Sequence, residues 1–198
     1  MRRWYDKRRA VLALLWVCCA VYLPTFIEHG WIPHDEGAFA HSAERVLQGF
    51  FHDTASTEIY TGGLSQLHAL GFALFGVRLP SLRFVLLGFA LAFVPALYGI
   101  AARLVPPLLA GLLTVVGVAW SLPNYFAAVP SWYNLFFATF GTLALLRNLE
   151  SGGRGWLVLA GVCGGLSILA KISGLYFVAA ALLFLIHREQ WLARGTTG

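Results

Sequence analysis

The sequence predicts an all-α protein, a polytopic membrane bundle of about six spans with interfacial helices in its first outer loop. Composition is the first reason. Of the 198 residues 59% are hydrophobic and 12% charged, with a mean hydropathy of +0.72. A soluble core of this length has no use for so much apolar surface. Run length is the second, because several apolar stretches reach the roughly 17–25 residues that cross a bilayer. The third is where the cations stand. Arg2, Arg3, Lys7, Arg8, Arg9, Arg103, Arg147, Arg154, Arg188 and Arg194 fall at alternate span ends, with Arg45, Arg78, Arg83 and Lys171 at the others. That bias is the positive-inside pattern, and it places both termini in the cytoplasm of a multi-pass protein of a bacterial-type inner (plasma) membrane. It also argues against nucleic acid as a partner, which would want the excess of +5 gathered on one soluble face.

The first span is expected from Ala10 to Ile27. Its basic flank and apolar run resemble a secretory signal, but no small-x-small cleavage site follows, so an uncleaved signal-anchor fits better. The second covers Phe84 to Arg103, with Pro95 expected to kink it. The third runs Leu104 to Leu122, the fourth Trp132 to Leu146, the fifth Trp156 to Ala170 and the sixth Ile172 to His187. Gly161 and Gly165 are spaced to let helices approach closely, and packing within the chain is the expected use. Cys18, Cys19 and Cys163 lie within spans and read as small buried hydrophobes.

Between the first two spans, Glu28 to Arg83 forms the only long polar stretch. It holds the acids Glu28, Asp35, Glu36, Glu44, Asp53 and Glu58 and the histidines His29, His34, His41, His52 and His68. Phe39, Ala43, Val46 and Phe50 recur at helical spacing, so Glu36 to Gln48 should be an amphipathic helix at the interface, with Gly49 as its C-terminal cap. Leu64 to Phe75 reads as a second interfacial segment. Carboxylates held at a membrane surface, in a chain this poor in charge, mark a functional site.

The order of features carries a resemblance. A basic N-terminus and one span precede Asp35-Glu36-Gly37 at the start of an outer helix; then come Leu74-Phe75-Gly76 and Leu82-Arg83-Phe84 opening a span. Gly164-Gly165-Leu166-Ser167-Ile168-Leu169-Ala170-Lys171 closes the fifth. Over nearly its whole length the chain resembles the N-terminal half of the C-type multispanning glycosyltransferases, in the group related to protein O-mannosyltransferases and aminoarabinose transferases. The resemblance implies a polyprenyl-phosphate-linked sugar as donor. It implies transfer on the outer membrane face, with inversion, to a lipid, glycan or protein acceptor, among membrane lipid. It departs from the group in having Tyr60-Thr61-Gly62-Gly63-Leu64 where a Lys-Pro-Pro-Leu-like turn is common, and in lacking an acid between Pro123 and Ser131.

By that resemblance Asp35 is the catalytic base and Glu36 its assistant or a metal ligand. A carboxylate within hydrogen-bond reach can take the acceptor hydroxyl's proton as the new bond forms. Read from the residues alone, the preferred role of Asp35 is an N-cap, with Glu36 a first-turn acid near the helix dipole's positive end, and the two roles can coexist. Lys171 and Arg83 are the donor-phosphate candidates, with snorkelling to the interface as the plain alternative. Tyr60, Tyr133 and His34 are the candidates for a substrate groove, although Tyr60, Trp120, Tyr125, Trp132 and Tyr133 would also serve as an interfacial belt. No tight zinc-ligand spacing is present, so the expectation is no metal and no certain cofactor, a divalent ion on carboxylate and imidazole being left open.

Members of the group continue for several more spans and usually an outer domain. The chain is therefore expected to be an incomplete N-terminal part of a longer transferase, or to need a partner carrying the C-terminal half. The competing reading is a non-catalytic membrane subunit or lipid-binding scaffold. A small transporter is disfavoured by the near absence of charge within spans and of an inverted repeat.

Overall fold

A computed structural model describes residues 2–50 and 60–195. His52, Asp53 and Glu58 of the outer loop lie outside the described residues. Within them the chain is helical throughout, without a strand: α1 (Arg2–Tyr22), α2 (Pro33–Leu47), α3 (Gly63–Phe75), α4 (Leu79–Leu104), α5 (Pro107–Ser121), α6 (Pro130–Ser151), α7 (Arg154–Ala170) and α8 (Leu175–Gly195). Single 3-10 turns follow α1, α5 and α7.

Among the described residues four segments are long and apolar enough to cross a membrane: Asp6–Phe26, Leu79–Leu104, Pro107–Tyr125 and Ile172–Trp191. They correspond to the first, second, third and sixth expected spans. The boundary between the second and third moves, because Leu104 ends α4 and Val105-Pro106 separates it from α5. Proline at the first position of α5 costs nothing, since that N–H would be unpaired anyway. Helix α7 is apolar but shorter, and α6 is long yet carries Ser131, Asn134, Thr139, Thr142 and Asn148 along it.

Side-chain bonds fix how the helices alternate. At one end the Arg8 guanidinium donates to Ala102 O at 2.9 Å and Tyr98 donates to Arg8 O at 3.2 Å, joining the start of α1 to the end of α4. Arg103 of α4 grips Glu150 of α6 there, Nε to Oε1 at 2.6 Å, and holds that carboxyl below its ordinary range. The pair is half-exposed and contributes little stability. At the opposite end lie α2, α3, Arg83, Tyr125, Ser131 and Lys171. The chain thus crosses back and forth through α1, α4, α5, α6, α7 and α8, with the basic residues Arg8, Arg103, Arg147 and Arg154 collected at one end.

Leu15, Leu23, Leu82, Leu86, Val94, Tyr133 and Phe136 from α1, the turn after it, α4 and α6 make the core. Pro95 sits inside α4 and cannot bond Leu91 O, so that carbonyl would be orphaned. The Trp16 indole of α1 donates to it at 2.9 Å. Small residues matter, but not at the expected pair. Gly161 and Gly165 have open space beside them, and the close contacts are instead at Gly141 and Gly164, where Phe177 and Val178 of α8 enter. Hydrophobic side chains at the small-residue positions would collide with α8, whereas the outward pair meets nothing. Cys19 and Cys163 are buried as expected, but Cys18 is exposed.

Helix α2 is the expected amphipathic segment, and Gly49 follows it with φ +88, a left-handed conformation that favours glycine. The start of α3 presses against the end of α7, where a Cβ on Gly63 would stand 2.5 Å from Leu169 O. Gly63→Val is therefore expected to cost about 1–3 kcal/mol through overpacking. An unchanged unfolding midpoint in detergent would show the α3–α7 contact to be dispensable.

Candidate active site

Arg83 dominates the end of the bundle that carries α2. Its side chain is fully buried, and so is that of Glu36. Nε and Nη2 each donate to a Glu36 oxygen at 2.6 Å, a bidentate pairing. The remaining donors reach the carbonyls of Phe26 at 3.0 Å, Ile27 at 3.1 Å, His29 at 2.5 Å and Gly30 at 3.0 Å. Trp31 stacks 3.9 Å from the guanidinium carbon. Every donor of Arg83 is thereby used. It has nothing left for a donor phosphate, and the turn between α1 and α2 is wrapped around it.

Glu36 is equally committed. Its second oxygen also accepts the Ile32 N–H at 3.1 Å, satisfying the start of α2. The N-cap of that helix is Ile32, with Pro33 at the first helical position, so Asp35 is not the cap; it lies within the first turn beside Glu36. Neighbours on a helix point about 100° apart. With Glu36 locked into the core, Asp35 is turned the other way, into a cleft.

That cleft has a volume of about 540 Å³, within the range of small-molecule sites. Asp35, His34, Tyr60, Tyr125, Ser131 and Trp132 contribute to its lining. The Tyr125 hydroxyl donates to Asp35 Oδ2. Tyr125 is held in turn by the Trp132 indole, which donates to its carbonyl at 2.9 Å. The segment from Phe126 to Pro130 behind it is buried.

Lys171, at the end of α7, reaches the cleft's edge through one lining residue, Ser131. Its ammonium donates to Ser131 Oγ at 2.9 Å. Asn134 of α6 ties the surrounding turns together, donating to Ser173 Oγ at 2.9 Å and accepting from Ser167 Oγ. Thr61 donates to Ile168 O at 3.0 Å and Leu169 O at 2.5 Å, which brings the turn at Tyr60 to the same place.

The structure therefore gathers Asp35, His34 and Tyr60 on one cleft with Lys171 at its edge. It leaves out Tyr133, which is fully buried behind the cleft and shares a 3.1 Å hydrogen bond with His68 Nε2. Burial pushes the His68 imidazole down to about 3, so it is neutral. Among the described residues no three of His, Cys, Asp and Glu come together as a metal site. Reading the sequence did not single out Tyr125 or Ser131 for chemistry. Tyr125 is an ordinary belt tyrosine by position, and only folding brings it to Asp35.

Comparison with known proteins adds one finding. Residues 64–196 match the family described as dolichyl-phosphate-mannose-protein mannosyltransferase. No curated protein and no solved structure matches the chain.

Proposed function

The chain belongs to the dolichyl-phosphate-mannose-protein mannosyltransferase family, one of membrane glycosyltransferases, and from that premise we propose that its cleft transfers a sugar from a polyprenyl-phosphate donor to an acceptor hydroxyl. Asp35 is the base. As the acceptor oxygen bonds to the anomeric carbon, its proton passes to the Asp35 carboxylate, and the bond from that carbon to the phosphate oxygen breaks. The prenyl phosphate leaves with the electron pair, and the direct displacement inverts the anomeric centre. Lys171 answers the negative charge that builds on the leaving phosphate. Glu36 and Arg83 serve as a positioning pair that aims Asp35. His34 and Tyr60 stand beside the sugar, and Tyr125 holds the carboxylate until an acceptor hydroxyl displaces it.

The observation that carries this reading is the meeting of Asp35 and Ser131 on one cleft, with Lys171 bonded to that serine at the same end of the bundle. In this reading the cleft opens on the outer face of an inner membrane and both termini are cytoplasmic, which the basic residues at the other end of the bundle support. Acceptors of the lipid, glycan or protein class suit an open cleft at this surface.

Membranes carrying the chain should incorporate radiolabelled sugar from at least one of a panel of prenyl-linked sugars, above membranes lacking it. Binding of donor without incorporation from any of them would favour a lipid-binding scaffold. Lys171→Ala should raise the donor KM about tenfold, the loss of one charge-assisted hydrogen bond. An unchanged donor KM would leave Lys171 only its bond to Ser131.

A further inference from the structure

Tyr125 makes the hydrogen bond that the transfer reading reserves for an acceptor. Its hydroxyl donates to Asp35 Oδ2, the contact a substrate hydroxyl needs before it can give up its proton. The backbone that carries this tyrosine is held still. Its N–H donates to Leu122 O at 3.2 Å, and its carbonyl accepts from the Ala127 N–H and from the Trp132 indole, both at 2.9 Å. Leu122, Phe126, Ala127 and Ala128 on either side are buried. The Tyr125 side chain, by contrast, is 37% exposed. It can leave Asp35 by turning about its own bonds, a fast motion for an exposed ring, while the segment behind it stays in place.

Asp35 has reason to be covered. The cleft is roomy enough to hold water beside any substrate. Water is a hydroxyl nucleophile too, and a carboxylate base takes a proton from either. The side of Asp35 that matters is also the side that is covered. Tyr125, Ser131 and Trp132 line the cleft from one short stretch of chain, and Oδ2 faces that stretch. Lys171 lies behind Ser131. A nucleophile between Asp35 and a sugar whose phosphate leaves toward Lys171 therefore bonds the carboxylate where Tyr125 already does.

We infer that Tyr125 guards the base: it keeps water off Asp35 while the acceptor site is empty, and it yields to an acceptor that the cleft grips by more than one hydroxyl. The inference rests on the transfer reading above and adds to it the choice between acceptor and water. Unguarded, the water oxygen bonds to the anomeric carbon and its proton passes to Asp35. The bond from that carbon to the phosphate oxygen breaks, and the prenyl phosphate leaves with the electron pair. Donor is then lost as free sugar and prenyl phosphate. A lone water or small alcohol offers Asp35 one hydrogen bond in place of the one it displaces, and gains nothing by the exchange. A larger acceptor brings further contacts with the cleft, and these tip the competition in its favour.

The test reads a partition of products. A polyprenyl-phosphate sugar labelled in the sugar is supplied to the full chain in membranes, with methanol added as a small alcohol. Label is counted as sugar incorporated into membrane acceptors, as free sugar and as methyl glycoside. Tyr125→Phe should raise the ratio of free sugar and methyl glycoside to incorporated sugar about tenfold or more, the effect of losing one hydrogen bond to a charged group. A variant that merely folds less well lowers all three products together and leaves the ratio where it was. Adding Asp35→Asn to Tyr125→Phe should bring the release of free sugar back to the parental level or below.

Should Tyr125→Phe not fold, Trp132→Phe releases the Tyr125 carbonyl, keeps a ring in the cleft wall and should move the ratio the same way. An unchanged ratio in a folded variant that still transfers would overturn the guard and leave the transfer reading standing. A rise that survives Asp35→Asn would overturn it as well, because the water would then be using another base. Donor left whole by parent and variants alike, whichever prenyl-linked sugar is supplied, would sink the transfer reading and the guard with it.

Discussion

Asp35→Asn is expected to reduce sugar transfer by about 10²–10⁴-fold, the usual contribution of a positioned general base, with the fold unchanged. Asparagine has nearly the same shape and can still accept the Tyr125 hydroxyl through its carbonyl oxygen, so α2 and the turn before α6 keep their contact. What disappears is the ability to take a proton. The structural cost should be small, because Asp35 neither caps α2 nor joins the Arg83 network. Expression and the unfolding midpoint should match the parent. Tyr125→Phe separates the two partners: it removes the hydroxyl on Asp35 and keeps the carboxylate, so it should retain most activity. Transfer by the Asp35→Asn protein at the parental rate would remove Asp35 from the mechanism. An equal collapse in the Tyr125→Phe protein would move the proton chemistry to that phenol.

Much of this arrangement is legible in the chain itself. Alternating charge fixes which helix ends gather together, since arginines at alternate span ends can share a side in only one way. Helical spacing marks α2, and the acids in its first turn mark the site. Its limits are equally physical. Whether Asp35 or Glu36 faces inward depends on where α2 begins, and Pro33 starts it earlier than the acidic pair suggests. One residue of shift turns a helix by about 100°, enough to exchange core and cleft. That is why both acids look alike in sequence and are used so differently.

Arg83 and Tyr133 teach the same lesson about burial. An arginine at a span end reads as a surface cation, because composition does not reveal a turn built to enclose it. Four backbone carbonyls between Phe26 and Gly30 converge on one guanidinium, and no residue-type pattern encodes that convergence. Tyr133 stands in an aromatic-rich stretch where a belt and a core look identical. Only its hydrogen bond to His68, sixty-five positions away, decides the matter. Ser131 is invisible for the converse reason: serines at helix starts are ordinary, and its value comes from Lys171 of a different helix.

Breaking the buried pair should produce the largest loss of stability in the protein. Glu36→Gln leaves the Arg83 charge enclosed with no counter-charge, and removing one partner of such a pair costs about 3–5 kcal/mol. Glutamine keeps the volume, so the loss reports charge rather than a cavity. Arg83→Lys should fare no better, because an ammonium has three donors and cannot bind a carboxylate bidentately while also reaching four carbonyls. Substituting both residues by methionine would ordinarily recover most of the loss, as apolar replacement of a buried pair often does. Here it should not, since the carbonyls of Phe26, Ile27, His29 and Gly30 would then lose their donor inside the fold. The order expected from unfolding in detergent is therefore parent above Glu36→Gln, with the double methionine variant no better than the single one. A double variant as stable as the parent would mean that the turn pairs its own carbonyls without Arg83. Activity gives the second readout: if the pair aims Asp35 as proposed, transfer should fall in Glu36→Gln even at temperatures where the protein remains folded, and a fully active folded variant would reduce the pair to a purely structural clamp.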